Sequence, residues 1–247
     1  MNRDIQTKEY KFDEKRHLHE LLVDGEWKAL TGCTTVLSVL NKPALIQWSA
    51  NMAIEYILGV AHLMSKGETE DTNSYQVLGS QLKEAKTAHR KKKEKAGDWG
   101  TDIHSQIEKL IIEAIEHEDG FIPNPEVSDN ASINHFTKWA VDNKVRFLES
   151  EKCMYSRKLF IGGICDILCE IDGKLWMADI KTGSGICYEA FWQMAGYTLM
   201  MEEMGYPNIV GTIVLNLKKD GTFEEKRSAS LEDAKKGFLA CLEIYRL

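Results

Sequence analysis

Groups able to grip a phosphate converge in one stretch of the chain, GGICDILCEIDGKLWMADIKTG, residues 162 to 183. Asp172-Gly173 is a favoured pair for a tight two-residue hairpin turn, whose central positions both need φ above zero. With that turn, Ile171 faces Lys174 and, counting outward, Asp166 falls directly opposite Asp179, with Cβ atoms about 4.5–5.5 Å apart. Opposed like charges destabilise a sheet, and the neighbours Ile164, Ile167, Leu168, Trp176 and Ile180 offer no polar relief. A divalent cation removes the conflict, because Mg2+ and Mn2+ take hard oxygen ligands. Lys181 returns to the face of Asp179 by strand alternation, so an ammonium there could offset charge that develops during a reaction. The plain alternative is a surface hairpin with a solvated Asp–Lys pair.

Two further sets of polar groups fall near this hairpin in the order of elements. Gln193 and Tyr197, four apart, share one face of the helix predicted from about Tyr188 to Met204. Upstream, Ile103, Ile107, Leu110, Ile111, Ala114 and Ile115 recur at helical spacing after Thr101, which puts His104 in a first turn and on one face with Glu108. A neutral imidazole is an ordinary ligand for Mn2+ and is tolerated near Mg2+.

The elements that must position these groups change period along the chain. A short hairpin around Asp24-Gly25 is expected between about residues 10 and 30. A helix then starts at Thr34 or Thr35 and is interrupted near Pro43, and more helix, with Leu78, Leu82 and Ala85 as its stripe, continues to about Lys95. Ala96-Gly97-Asp98-Trp99-Gly100 should break it before Thr101. A loop is expected over residues 119 to 130 and a helix from about Ser132 to Phe147. Strands follow over Lys152–Lys158, Gly163–Ile171 and Leu175–Lys181, then the helix, a strand over Ile209–Leu217, a turn at Asp220-Gly221, a strand to Lys226 and a last helix over Leu231–Tyr245. That order describes an α/β (α+β) fold, a mixed central sheet flanked by helices.

Composition narrows the function. The 247 residues are 43% hydrophobic and 28% charged, which excludes a disordered chain. No apolar run approaches the roughly 20 residues of a membrane helix, so no membrane partner and a cytoplasmic location are expected. Six cysteines without a CxxC pair are expected to be reduced and packed as small apolar groups. The net charge of −7 hides a local reversal: KEAKTAHRKKKEK, Lys83 to Lys95, carries seven basic against two acidic residues. Arg90, Lys91, Lys92, Lys93 and Lys95 are therefore candidates for a polyanion contact, against the simpler reading of a solvated helix face.

Taken in order, GT-x-x-H, GG-x-x-D, D-x-K-T and Q-x-x-x-Y resemble the RecB-like branch of the PD-(D/E)XK nuclease superfamily, especially exonucleases of phage type and the mitochondrial genome maintenance exonuclease. The resemblance covers about residues 97 to 217. It implies a restriction-endonuclease-like core over residues 98–247, preceded over 1–97 by a hairpin and helical N-terminal elaboration. It implies metal-dependent hydrolysis of DNA phosphodiesters, with His104, Asp166, Asp179 and the carbonyl of Ile180 as ligands of Mg2+ or Mn2+. Lys181 resembles the catalytic lysine, and Gln193 and Tyr197 match the positions that organise the site and the DNA end. On the preceding strand Glu151 and Glu149 compete for an acidic position. Some relatives hold an iron–sulfur cluster through a tight C-terminal cysteine group, whereas only Cys241 lies beyond Cys187 here, so no iron–sulfur cluster is implied.

The activity expected is that of an exonuclease on single-stranded or frayed DNA ends in recombination, repair or replication of phage or bacterial DNA, where a partner protein would act with it. A structure-selective endonuclease of the same chemistry and an inactive DNA-binding recombination partner are the alternatives.

Overall fold

The structure, a computed structural model, describes residues 5–40, 43–66, 81–117, 119–122, 128–206 and 208–247. Strands β1 (Ile5–Gln6), β2 (Tyr10–Asp13), β3 (Leu18–Val23) and β4 (Glu26–Ala29) pair antiparallel in that order. Asp24 and Gly25 join β3 to β4 with φ of 53° and 83°, as a type I′ turn requires. The sequence predicts this hairpin but misses the strands before it, because in β2 only Tyr10 and Phe12 turn inward among polar neighbours. The N-terminal elaboration therefore begins as a β-meander rather than a lone hairpin.

After β5 (Thr31–Gly32), a short helix α1 (Cys33–Val36) starts at Gly32 without a side-chain cap, so Thr34 and Thr35 lie inside it rather than ahead of it. Helix α2 (Pro43–Ser65) begins at Pro43. A proline at the first helical position gives up no hydrogen bond, which makes Pro43 a start and not an interruption. Helix α3 (Ala88–Glu116) runs unbroken through Gly97 and Gly100. Each glycine weakens a helix by about 1 kcal/mol relative to alanine but does not terminate it, so the predicted break before Thr101 is absent. Leu78 and the part of the predicted loop holding Pro123 and Pro125 lie outside the described residues.

Helix α4 (Ala131–Asp142) is capped by Asn130, whose Oδ1 accepts from the Ser132 amide at 3.0 Å. It ends earlier than expected, where Lys144 turns left-handed with φ 50°, and Phe147 already lies on β6 (Arg146–Ser156). Then come β7 (Ile161–Ile171), β8 (Lys174–Lys181), α5 (Tyr188–Glu203), β9 (Ile209–Leu217), β10 (Phe223–Ser228) and α6 (Leu231–Tyr245).

The larger sheet runs β10-β9-β8-β7-β5, with β6 also on β7; β8 with β9 and β5 with β7 are parallel, the rest antiparallel. This is the mixed α/β arrangement expected, a central sheet flanked by helices. Met154, Cys165 and Met177 of the sheet pack with Met194 and Met200 of α5 and Phe238 of α6 in the main core. Met1–Leu40 groups with Ile103–Leu247 in one compact unit and Asn41–Asp102 form the other. The division drawn from the sequence, between residues 97 and 98, does not follow this grouping, because the N-terminal meander packs on the larger sheet.

That packing depends on a missing side chain. His19 of β3 is buried, with Nδ1 2.7 Å from the Tyr10 hydroxyl. Its ring passes so close to β7 that a Cβ on Gly162 would lie 2.7 Å from its Cβ and Cγ. Burial, aided by nearby His17, lowers the His19 pKa to about 4 and keeps it neutral. Gly162→Ala should cost about 1–3 kcal/mol by overpacking, read as a lowered urea midpoint; an unchanged midpoint would mean that the meander does not seat on β7 as described.

Candidate active site and metal centre

Glu151, Asp166 and Asp179 stand on three neighbouring strands. On one side of β7, Ser150 pairs with Ile167 and Lys152 with Cys165, which sets Glu151 across from Asp166. Glu151 has a left-handed φ of 49°. A non-glycine residue held there costs on the order of 1 kcal/mol and has its side chain aimed away from the regular strand direction. On the other side, the β7–β8 ladder follows the predicted register from Ile171 and Lys174 to Ile167 and Ala178, then stops. The opposed ladder pair of Asp166 and Asp179 is thus not formed. Instead, Asp166 Oδ2 accepts from the Ile180 amide at 2.7 Å, so a carboxylate takes over a backbone donor where the two strands cease to pair.

The reason lies in the neighbours of β7. Its first residues, Ile161 and Gly162, pair with β5, and β8 joins only from Ile167 onward. Between them the strand has β6 on one side and no ladder partner on the other among the described residues. A cavity of about 450 Å3 opens there, lined by His104, Glu151, Gly163, Asp166, Gln193 and Tyr197 among others.

His104 reaches this cavity from well inside α3, not from a first turn. Its Nδ1 lies 3.6 Å from Asp166 Oδ2. His104, Glu151 and Asp166 each offer one ligand atom within 4.8 Å of the others, the one such group among the described residues. One imidazole and two carboxylates at that spacing fit a small divalent ion, whose ligand bonds run at about 2.0–2.6 Å. The third member of this group is Glu151, and Asp179 lies outside it. Glu149 is engaged elsewhere: Oε1 accepts from the Tyr206 hydroxyl at 2.7 Å and Oε2 pairs with Lys152 at 2.5 Å. Alternation alone left these two acids undecided.

Asp179 is 2% exposed. Its Oδ2 has an ion pair with Lys181 Nζ at 2.6 Å. Lys181 also donates to Gln193 Oε1 at 3.3 Å, and Gln193 Nε2 donates to the Tyr197 hydroxyl at 2.6 Å. The chain Asp179, Lys181, Gln193, Tyr197 therefore links β8 to α5. Tyr197 enters beside Gly163, where a Cβ would lie 2.7 Å from its Cε1. The adjacent glycines thus serve opposite faces of one strand, Gly162 clearing His19 and Gly163 clearing Tyr197.

Burial and the charge of Asp179 push the Asp166 carboxyl up to about 6, against the opposing pull of His104, Lys181 and the Ile180 amide. Burial favours neutral Lys181, but Asp179 and Asp166 outweigh it and raise its pKa above the ordinary lysine value. Burial, with Cys33 and Asp179 nearby, raises Tyr197 well above the ordinary phenol, so its proton stays in place.

Arg90, Lys91, Lys92, Lys93 and Lys95 are exposed on α3, within the Asn41–Asp102 unit. Lys91 pairs with Glu84 at 3.3 Å and Arg90 with Glu94 at 3.8 Å, while Lys92 Nζ lies 3.2 Å from Met52 Sδ. Cys187 is exposed and the other cysteines are buried. No helix among the described residues is long and apolar enough to cross a membrane. The cavity wall from the N-terminal strands, including Phe12, His17 and His19, was not anticipated from sequence; the paired glycines were the only signal of a close approach.

No family model matches this sequence, and no curated protein matches it. Among solved structures, that of SSO0001 is similar with a TM-score of 0.32 and 14% identity over 47% of this chain and 56% of that one. An alkaline exonuclease (LHK-Exo) from Laribacter hongkongensis is similar with a TM-score of 0.31 and 14% identity over 48% of this chain and 71% of that one. At those scores neither likeness carries an assignment.

The crowding of acids has a measurable sign. A free aspartate titrates near 3.9, whereas Asp166 holds its proton to about 6. The folded chain binds more protons between those values, so stability falls as pH rises through that window, by an amount on the order of 3 kcal/mol. In chelator, Asp166→Asn should remove this slope: its urea midpoint relative to wild type should rise from pH 4 to pH 7. His19 slopes the opposite way in both proteins and cancels. Parallel curves would show that the carboxyl is not strained by its neighbours.

Proposed function

We propose that the chain is a divalent-metal-dependent deoxyribonuclease of the RecB-like PD-(D/E)XK type, acting as an exonuclease at single-stranded or frayed DNA ends. One observation carries this reading: three acids on adjacent strands meet an imidazole on one side and a half-buried, charged lysine on the other. That is a device for holding a cation against a phosphate and placing a second positive charge beside it.

His104, Glu151 and Asp166 are the residues assigned to hold Mg2+ or Mn2+, with Asp179 and the Ile180 carbonyl as further oxygens. When bound, such an ion polarises a phosphate oxygen and makes water a stronger nucleophile near neutral pH. The rest belongs to the chain. Asp179 fixes Lys181 Nζ, and Gln193 holds the same nitrogen from α5, so the ammonium is aimed before substrate arrives. A preorganised charge of this kind stabilises the extra negative charge of a five-coordinate phosphate without reorganisation. Tyr197 keeps Gln193 in place and presents a protonated hydroxyl toward the same cavity. The Ile180 amide holds the Asp166 carboxylate in one rotamer.

Arg90, Lys91, Lys92, Lys93 and Lys95 are assigned to phosphate contacts away from the chemistry. Binding of that kind is independent of base sequence and weakens with salt, by about one unit of log–log slope for each contact.

The test uses end-labelled linear and covalently closed circular DNA with Mg2+, Mn2+ or chelator. Linear DNA should be degraded with either ion, circular DNA should survive, and chelator should stop the reaction. Asp166→Asn, Glu151→Gln and Lys181→Ala should each lower the rate by about 100-fold or more while keeping a cooperative unfolding transition. Cutting of the circle would assign an endonuclease instead, and full activity in the variants would remove the site assignment.

A further inference from the structure

Five rings run in a row beneath the N-terminal meander, in the order Tyr155, Tyr10, His19, Phe12, His17. Their centroids are 4.6 Å apart for Tyr155 and Tyr10, 6.0 Å for Tyr10 and His19, 4.6 Å for His19 and Phe12, and 5.7 Å for Phe12 and His17. Tyr10, Phe12 and His19 are buried and Tyr155 is half-buried, whereas His17, at the end of the row, is exposed. That last ring lines the same cavity as His104, Glu151 and Asp166.

His17 is also held. It has a left-handed φ of 48°, and its amide donates to the Glu14 carbonyl at 3.2 Å. The turn is closed a second time by the Arg16 amide on Asp13 Oδ1 at 2.9 Å. Both ring contacts of His17 are near-perpendicular, 84° to Phe12 and 80° to His19, so neither neighbour is stacked on it. The ring sits on a turn held by these bonds, meets Phe12 and His19 edge to face, and lines the cavity that His104, Glu151 and Asp166 also line. The volume, about 450 Å3, lies within the usual range for small-ligand pockets, about 300–1,000 Å3.

We propose that His17 stacks on the nucleobase adjacent to the phosphate being cut, making the turn between β2 and β3 a substrate-positioning wall of the catalytic cavity. This rests on the nuclease reading. Base–aromatic stacking tolerates any base, because every base has a flat face, and it suits an enzyme that takes successive nucleotides from an end. The neighbouring Glu14 on the same turn makes this wall poorly suited to a phosphate.

The experiment measures KM and kcat on short single-stranded DNA with Mn2+ for wild type, His17→Asn and His17→Phe, and repeats them with one abasic position moved along the strand. Asparagine tolerates the left-handed conformation, so His17→Asn removes the ring with least strain, and melting temperatures verify the fold of both variants. The expected result is a KM raised roughly tenfold in His17→Asn, restored in His17→Phe, and a single abasic position at which wild type and His17→Asn become equal. An unchanged KM in His17→Asn, failure of the phenylalanine to restore it, or a difference that persists at every abasic position would overturn the stacking role. Wild-type cleavage of the intact strand separates the two ideas: if wild type cuts and His17→Asn matches it, stacking alone fails, and if wild type does not cut, both fail.

Discussion

Carboxylates brought together in a buried place repel, and the surroundings of the candidate site are organised around that repulsion. Asp166 is the centre of it. It stands across from Glu151 on β6 and β7, and burial together with the charge of Asp179 on β8 raises its carboxyl to about 6. A protein that needed only stability would place apolar residues at these positions, since buried charge is costly unless it is compensated. Here compensation is partial and directional: the Ile180 amide, His104 and Lys181 each offset some of the charge, and the space bounded by His104, Glu151 and Asp166 is left for a cation. Perturbed acids in a cavity are what a functional site looks like when the perturbation is retained rather than relaxed.

The sheet makes room for this by changing partners along one strand. Had β8 continued its ladder, Asp166 and Asp179 would be paired residues in a closed sheet and no cavity would form. Because β5 takes the start of β7 and β8 takes its end, a gap remains, and one side-chain acceptor serves the backbone donor at its edge. At the two glycines beside this gap the absent side chains let His19 and Tyr197 approach the faces of the strand. Site geometry and sheet topology are thus one arrangement, and the residues GG-x-x-D describe it compactly: two close approaches, then the acid at the fork.

Local chemistry was legible in the sequence, and termination was not. Asp172-Gly173 specifies its turn within two residues, so the register of β7 and β8 followed at once. The point at which the ladder stops depends on β5, which lies about 130 residues upstream in the sequence, and no local pattern carries that. Glu151 and Glu149 were inseparable for a related reason: β6 has an irregularity between Phe147 and Glu149 and a left-handed residue at Glu151, so counting by twos fails where it is needed. Glycine misled in α3, where Gly97 and Gly100 were weighed as breakers although the helix runs through them. His104 therefore arrives from the middle of a long helix, with its neighbours Ile103 and Ile107 buried, which holds the imidazole more firmly than a fraying first turn would.

The N-terminal strands explain why the wall opposite the acids is aromatic. Tyr10 and Phe12 must bury themselves somewhere, and a short meander has too little core of its own to do so; with Leu21, Leu30 and Cys153 they form a small apolar cluster, with His19 buried beside it. Seating that cluster requires Gly162, and seating it there brings the turn between β2 and β3 over the cavity. His19 is kept neutral by burial, so the wall adds no fixed charge from within. A substitution that loosens the meander therefore disturbs the cavity as well, because the first forty residues group with the larger sheet and supply part of the cavity wall. Stability and the shape of the cavity meet in the same contact, the imidazole of His19 against a strand with no side chain in its way.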